Sequence, residues 1–111
     1  MAGTIKRFGP LALTVTLTTN VYNQTSALIV DTVRQIHIVN KTASAATFTL
    51  YLGATGANAA GTELWLGYSI PANSAFDWYG MLKMLSTDFL VGGAGTTLAL
   101  TITGMTEQNA V

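Results

Sequence analysis

Ala46-Thr47-Phe48-Thr49-Leu50-Tyr51-Leu52-Gly53 alternates between large apolar side chains and threonine or tyrosine. Side chains alternate across a β-strand, so Phe48, Leu50 and Leu52 belong to one face and Thr47, Thr49 and Tyr51 to the other. The same period of two recurs in Leu11-Ala12-Leu13-Thr14-Val15-Thr16-Leu17-Thr18 and in Leu98-Ala99-Leu100-Thr101-Ile102-Thr103. Each run describes a half-buried strand whose outer face is rich in β-branched, hydroxyl-bearing residues that suit a pleated backbone.

Less regular strands fill the intervals. Over 32–40, Ile36 and Ile38 oppose Val33, Gln35, His37 and Val39; over 63–70, Leu64, Leu66, Tyr68 and Ile70 are in phase. Phe76 and Trp78 share a phase in 74–79, with 81–85 continuing past Gly80, and 89–91 is a short strand. Turn residues separate them at 40–44, 53–61, 71–73, 86–88 and in Gly92-Gly93-Ala94-Gly95. Seven or eight short strands at this spacing predict an all-β, antiparallel sandwich, jelly-roll-like or immunoglobulin-like, with no helix. Gly3, Gly9 and Pro10 discourage regular structure, so residues 1–10 are expected to be an extended N-terminal arm and 11–111 the sandwich domain. Two readings of the arm stand side by side: a frayed end, or a segment that docks on a neighbouring subunit.

Charge is scarce. Half of the 111 residues are hydrophobic and only 9% are charged, with five basic and five acidic side chains cancelling to zero. An ordinary soluble domain carries roughly 25%. A monomer of 11.7 kDa exposes roughly 5,900 Å², leaving about one charge per 600 Å². Such a surface favours association, so much of it is expected to be covered by other subunits. The balance also argues against a nucleic-acid partner, which needs a positively charged groove. Lys6 and Arg7 followed by 8–17 imitate a short signal peptide, but the alternation and the missing small-x-small site argue against one. The charge-free stretch 89–106 holds four glycines and five threonines, so it is expected to be loop and strand, with no membrane span.

Chemistry is sparse as well. The chain has no cysteine, which excludes disulfides, thiol nucleophiles and zinc–thiolate sites. Its one imidazole, His37, lies mid-strand with no Gly-x-Ser-x-Gly elbow anywhere in the chain, so an interface or structural role is expected over catalysis. A nitrogen-ligated metal would need a second histidine. Asp31 and Asp88 are expected to be turn residues ahead of strands, and Asp77 to face outward; no cofactor is expected. The glycines of 92–95 precede a strand where a phosphate loop requires a helix, so they are expected to serve a tight turn. Asn23-Gln24-Thr25 and Asn40-Lys41-Thr42 match glycosylation acceptors, yet the same residues are what turns require. Trp65, Tyr68, Phe76, Trp78 and Tyr79 cluster in the middle third. They either fill the core or an interface, or, through Trp65, Trp78 and Tyr79, offer a carbohydrate platform.

The ordered pattern of Val33-Arg34-Gln35-Ile36-His37-Ile38-Val39-Asn40, 46–53, Ile70-Pro71-Ala72-Asn73-Ser74, Thr87-Asp88-Phe89-Leu90 and the final strand to Gly104 resembles the small β-sandwich virion proteins of tailed bacteriophages. That group includes capsid decoration proteins and tail or collar accessories. The resemblance covers about residues 11–104 and rests on strand order and turns; Thr87-Asp88 stands where such proteins often have Gly-Asp. It implies a non-enzymatic structural protein of the virion, favouring the capsid surface, assembled in the host bacterial cytoplasm. The major capsid protein or other virion proteins are the implied partners, with a homo-oligomer, a trimer favoured. Partner contacts are expected from Thr4, Ile5, Lys6, Arg7 and Phe8 of the arm, from Thr55 and Asn58 of the 53–61 loop, and from Trp65. The alternatives are a tail, collar or fibre-base component and a carbohydrate-binding module.

Overall fold

The computed structural model describes residues 3–16, 19–23, 26–53, 63–96 and 99–110, the side chain of Ala110 excepted. Eight strands carry the fold: β1 (Thr4–Ala12), β2 (Asn20–Asn23), β3 (Ile29–Asn40), β4 (Ala46–Gly53), β5 (Glu63–Ile70), β6 (Ala75–Met84), β7 (Phe89–Ala94) and β8 (Leu100–Ala110). They form two four-stranded antiparallel sheets, one in the order β1-β8-β3-β6 and the other β2-β7-β4-β5. First pairs with last, second with seventh, third with sixth and fourth with fifth. This is the wrapping of a jelly roll, which settles the strand order that alternation leaves open.

The inward phases meet between the sheets. Ile36, Ile38, Leu100 and Ile102 from the first sheet face Phe48, Leu50 and Leu90 from the second, all essentially inaccessible. Burying a side chain of this kind contributes about 1.5–3 kcal/mol. Aromatic rings close both open sides of the sandwich. Phe8 stacks on Tyr22 at the β1/β2 side, with centroids 5.2 Å apart. At the β5/β6 side, Trp65 meets Phe76 and Trp78 edge-on at 5.6 and 5.7 Å. Tyr68 lies 5.0 Å from Phe76 on the same side.

Several expectations shift. Thr4–Pro10, read as an arm outside the sandwich, is hydrogen-bonded into it as most of β1, with Thr4 opposite Gln108 and Phe8 opposite Gly104. The irregularity expected from Gly9 and Pro10 is confined to a register shift between Phe8 and Leu11. The run 11–18 is not one strand: β1 ends at Ala12, Leu13 is buried and Val15 is 57% exposed. Here the chain crosses between sheets. Leu13 N donates to Leu100 O in the first, and Thr14 O accepts from Ala94 N in the second, at 2.9 and 2.8 Å. Residues 17 and 18 lie outside the described residues, as does Leu98 of the last predicted run.

Gly92, Gly93 and Ala94 belong to β7 and not to a turn. The glycines are there because other chain segments come close: a Cβ on Gly92 would lie 2.1 Å from Thr49 O, and one on Gly93 2.5 Å from Thr14 O. In β5 the phase flips at Gly67, whose φ of 59° suits glycine. Trp65 therefore turns inward, and Leu66 is left 73% exposed. The turns at 40–44, 71–73 and 86–88 fall between strands as expected. Asn40 anchors the first: it is fully buried, its Nδ2 donates to Ser44 O and Ile70 O, and its Oδ1 accepts from Thr42 N. An asparagine held this way is a structural clamp, not a glycan acceptor.

Candidate functional site

The two outer faces differ in how open they are. On the second sheet the outward-phase residues Thr49, Tyr51 and Val91 are buried, and the chain at Thr14–Thr16 runs against Gly93. On the first sheet the outer face lies open. Antiparallel register places its side chains in rows across the strands: Arg7, Met105, Gln35 and Tyr79 form one, and Thr103, His37 and Asp77 the next. Between them lies an open groove of about 320 Å³ lined by Arg7, Gln35, His37, Thr103, Gly104 and Met105.

Local sequence explains the polar end of this face. His37 and Asp77 are cross-strand partners, and His37 Nδ1 donates to Asp77 Oδ1 at 2.6 Å, with both side chains 40% exposed. Gln35 Nε2 reaches Tyr79 Oη at 3.4 Å. Arg34 is the extra residue of a bulge against β8, where β3 advances two residues from Val33 to Gln35 while β8 advances one. A bulge re-aims its side chain. Arg34 Nη1 meets Glu107 Oε1 at 3.0 Å, a surface pair worth at most about 1 kcal/mol. Large apolar side chains surround these groups: Ile5 is 63%, Tyr79 69% and Met81 76% exposed.

A second polar group is sealed inside. Asp31, expected in a turn, is wholly buried within β3, because its position in the strand shares the inward phase with Val33. It accepts hydrogen bonds from Tyr22 Oη and from Gln108 Nε2, the latter at 3.1 Å. The cluster ties β2 of one sheet to β3 and β8 of the other. Burial first, and then donation to the Asp31 carboxylate, push the Tyr22 phenol above its ordinary 10.0. Asp88 matches its expected place: it precedes β7, and its Oδ2 accepts from Leu85 N.

The expected contact residues do not converge on one site. Ile5 and Arg7 lie on the open face, and Thr4 and Lys6 are exposed on the edge strand β1. Phe8 points inward and is only 5% exposed. Trp65 is half-buried against Phe48, Phe76 and Trp78. Thr55 and Asn58 lie outside the described residues, as do 54–61 of the loop and residues 24 and 25 of the first Asn-x-Thr match. The three aromatics considered for sugar binding do not share a surface: Trp65 and Trp78 pack between the sheets, while Tyr79 stands on the outer face. Gln35, Met81 and Met105 carry no contact signal in the sequence beyond the outward phase of Gln35.

Among the described residues, no group of three or more metal-ligating side chains comes together. His37 stands between Asp77, which it meets through Nδ1, and Thr103 on the opposite strand. No described helix is long and apolar enough to cross a membrane. What the face offers is a set of donors and acceptors on an apolar floor, a composition suited to contact with another protein surface. No known protein family, curated protein or solved structure matches the chain.

Proposed function

We propose that this protein is a non-enzymatic structural subunit of a phage virion, one that decorates the capsid and stabilises it through contacts with the major capsid protein and with its own copies. Jelly rolls occur in viral capsid domains, lectins and cupins, so the wrapping supports the reading by analogy alone. The observation that carries it is the surface. An area of 5782 Å² is served by five basic and five acidic residues. Asp31 is buried, and Arg34, Glu107 and Asp77 are tied in pairs on the first sheet. Exposed Leu28, Leu66, Tyr79 and Met81 take the places where charges ordinarily stand. A subunit held among many copies gains avidity from numerous weak contacts of this kind and does not depend on solubility alone.

The test is direct. Purified protein is added to capsid shells lacking decoration, and bound copies and the temperature of shell disruption are measured. Saturable binding with a raised disruption temperature is the expected result. Shells that neither bind the protein nor gain heat resistance would remove the capsid role. Imaging of virions tagged at the C-terminus then reports position, and label confined to the tail would replace decoration with a tail or collar role.

A further inference from the structure

We infer that two copies of this chain join edge to edge through β6, about a two-fold axis at Gly80, to make one continuous eight-stranded sheet. The inference goes beyond the virion reading and holds whatever the assembly the protein serves. A sheet edge carries unpaired backbone N–H and C=O groups, and most proteins blunt it with proline, charge, bulges or shortness. Three of the four edges here are blunted. β1 contains Pro10, a register shift and the Lys6–Arg7 pair. β2 is four residues long. β5 is broken at Gly67 and shifts register twice against β4. β6 is the exception: ten residues without proline, paired among the described residues with β3 alone, and alternating in exposure from Ala75 to Lys83. Its one register shift sets two of its own residues, Gly80 and Met81, against Arg34 alone, and leaves that alternation intact.

The sequence of β6 is complementary to itself when reversed. In the register centred on Gly80, Asp77 faces Lys83 and Tyr79 faces Met81 on the outer side of the pairing, and Gly80 faces Gly80 on the inner side. Trp78 then faces Leu82, and Phe76 faces Met84, on the inner side. Each copy thus places its acid opposite its partner's base at both ends of an apolar centre. Directly opposed opposite charges and aromatic–apolar pairs are the pairings that stabilise antiparallel strands. Lys83 is exposed and has no ion-pair partner among the described residues. Asp77 would stand between His37 of its own chain and the second copy's lysine. Tyr79 and Met81 are among the most exposed large apolar side chains of the molecule. The adjoining edge strand β5 adds exposed Leu66 and Tyr68 on the same side of the sandwich. A symmetric contact in which one patch meets itself closes as a dimer and does not propagate.

Native mass and a charge swap test this. The 111-residue chain is expected to sediment at twice 11.7 kDa. Asp77→Lys and Lys83→Asp singly should weaken association by at least about ten-fold, because each brings like charges together at both symmetric ends. The double variant should restore it. The chain has no cysteine, so introduced thiols report register without background. A mixture of Asp77→Cys and Lys83→Cys proteins is expected to cross-link, and neither alone, since a residue and its own symmetry mate would lie about 20 Å apart. A monomeric or trimeric wild type, dimers unaffected by the single reversals, or cross-linking of either variant alone would each overturn the inference.

Discussion

The cluster of Tyr22, Asp31 and Gln108 shows how much a single position can hold. Tyr22 donates to a carboxylate that water cannot reach, and its phenol is raised above 10.0 by burial and by that bond. A group whose folded-state pKa is raised contributes stability that is fully present below the unfolded value and is lost as pH climbs towards the folded one. Stability measured by denaturation is therefore expected to hold to about pH 10 and to decline above it. Tyr22→Phe should flatten that decline. It should also lower stability at neutral pH by about 1–3 kcal/mol, because Asp31 loses a donor it cannot replace with water. A neutral-pH stability equal to wild type would mean that the bond contributes nothing. None of this was legible in the sequence, where Asp31 resembles any acid at the start of a strand.

Among the elements, β7 and β5 show where alternation succeeds as a guide and where it stops. A strand was expected over 89–91 and a turn after it, but β7 runs through both glycines to Ala94. Glycine there marks the close approach of β4, and composition does not distinguish that from a turn. Gly92→Ala is accordingly expected to destabilise the protein by about 1–3 kcal/mol through overpacking, since the new methyl would press on the Thr49 carbonyl. An unfolding midpoint unchanged by the substitution would show that the approach relaxes freely. In β5, Leu64, Leu66, Tyr68 and Ile70 are in phase on paper, yet Gly67 resets the phase and moves Trp65 inward. The central strand β4, the inner half of β8 and β3 from Gln35 onward follow the pattern closely, whereas the bulge at Arg34 turns Val33, expected opposite Ile36 and Ile38, into the core with them. Each is flanked by neighbours on both sides, so a slip of one residue would expose its whole apolar face.

At the scale of the molecule, scarce charge and exposed apolar side chains are one property seen twice. Leu28, 78% exposed in the turn before β3, contributes to the surface and not to the core. Leu28→Glu is therefore expected to leave stability within about 0.5 kcal/mol of wild type while raising the salt concentration at which the protein precipitates. A loss of stability beyond that range would place Leu28 in the packing. The sequence by itself determined the class of fold, the phases of the central strands and the shortage of charge, because periodicity and composition are local quantities. It did not determine the strand order, the recruitment of 4–10 into β1, the burial of Asp31 or the meeting of His37 with Asp77. Those depend on which strands become neighbours, and that is decided by how the two sheets close over a shared core. Alternation tells each strand which face to hide and carries no information about the strand beside it.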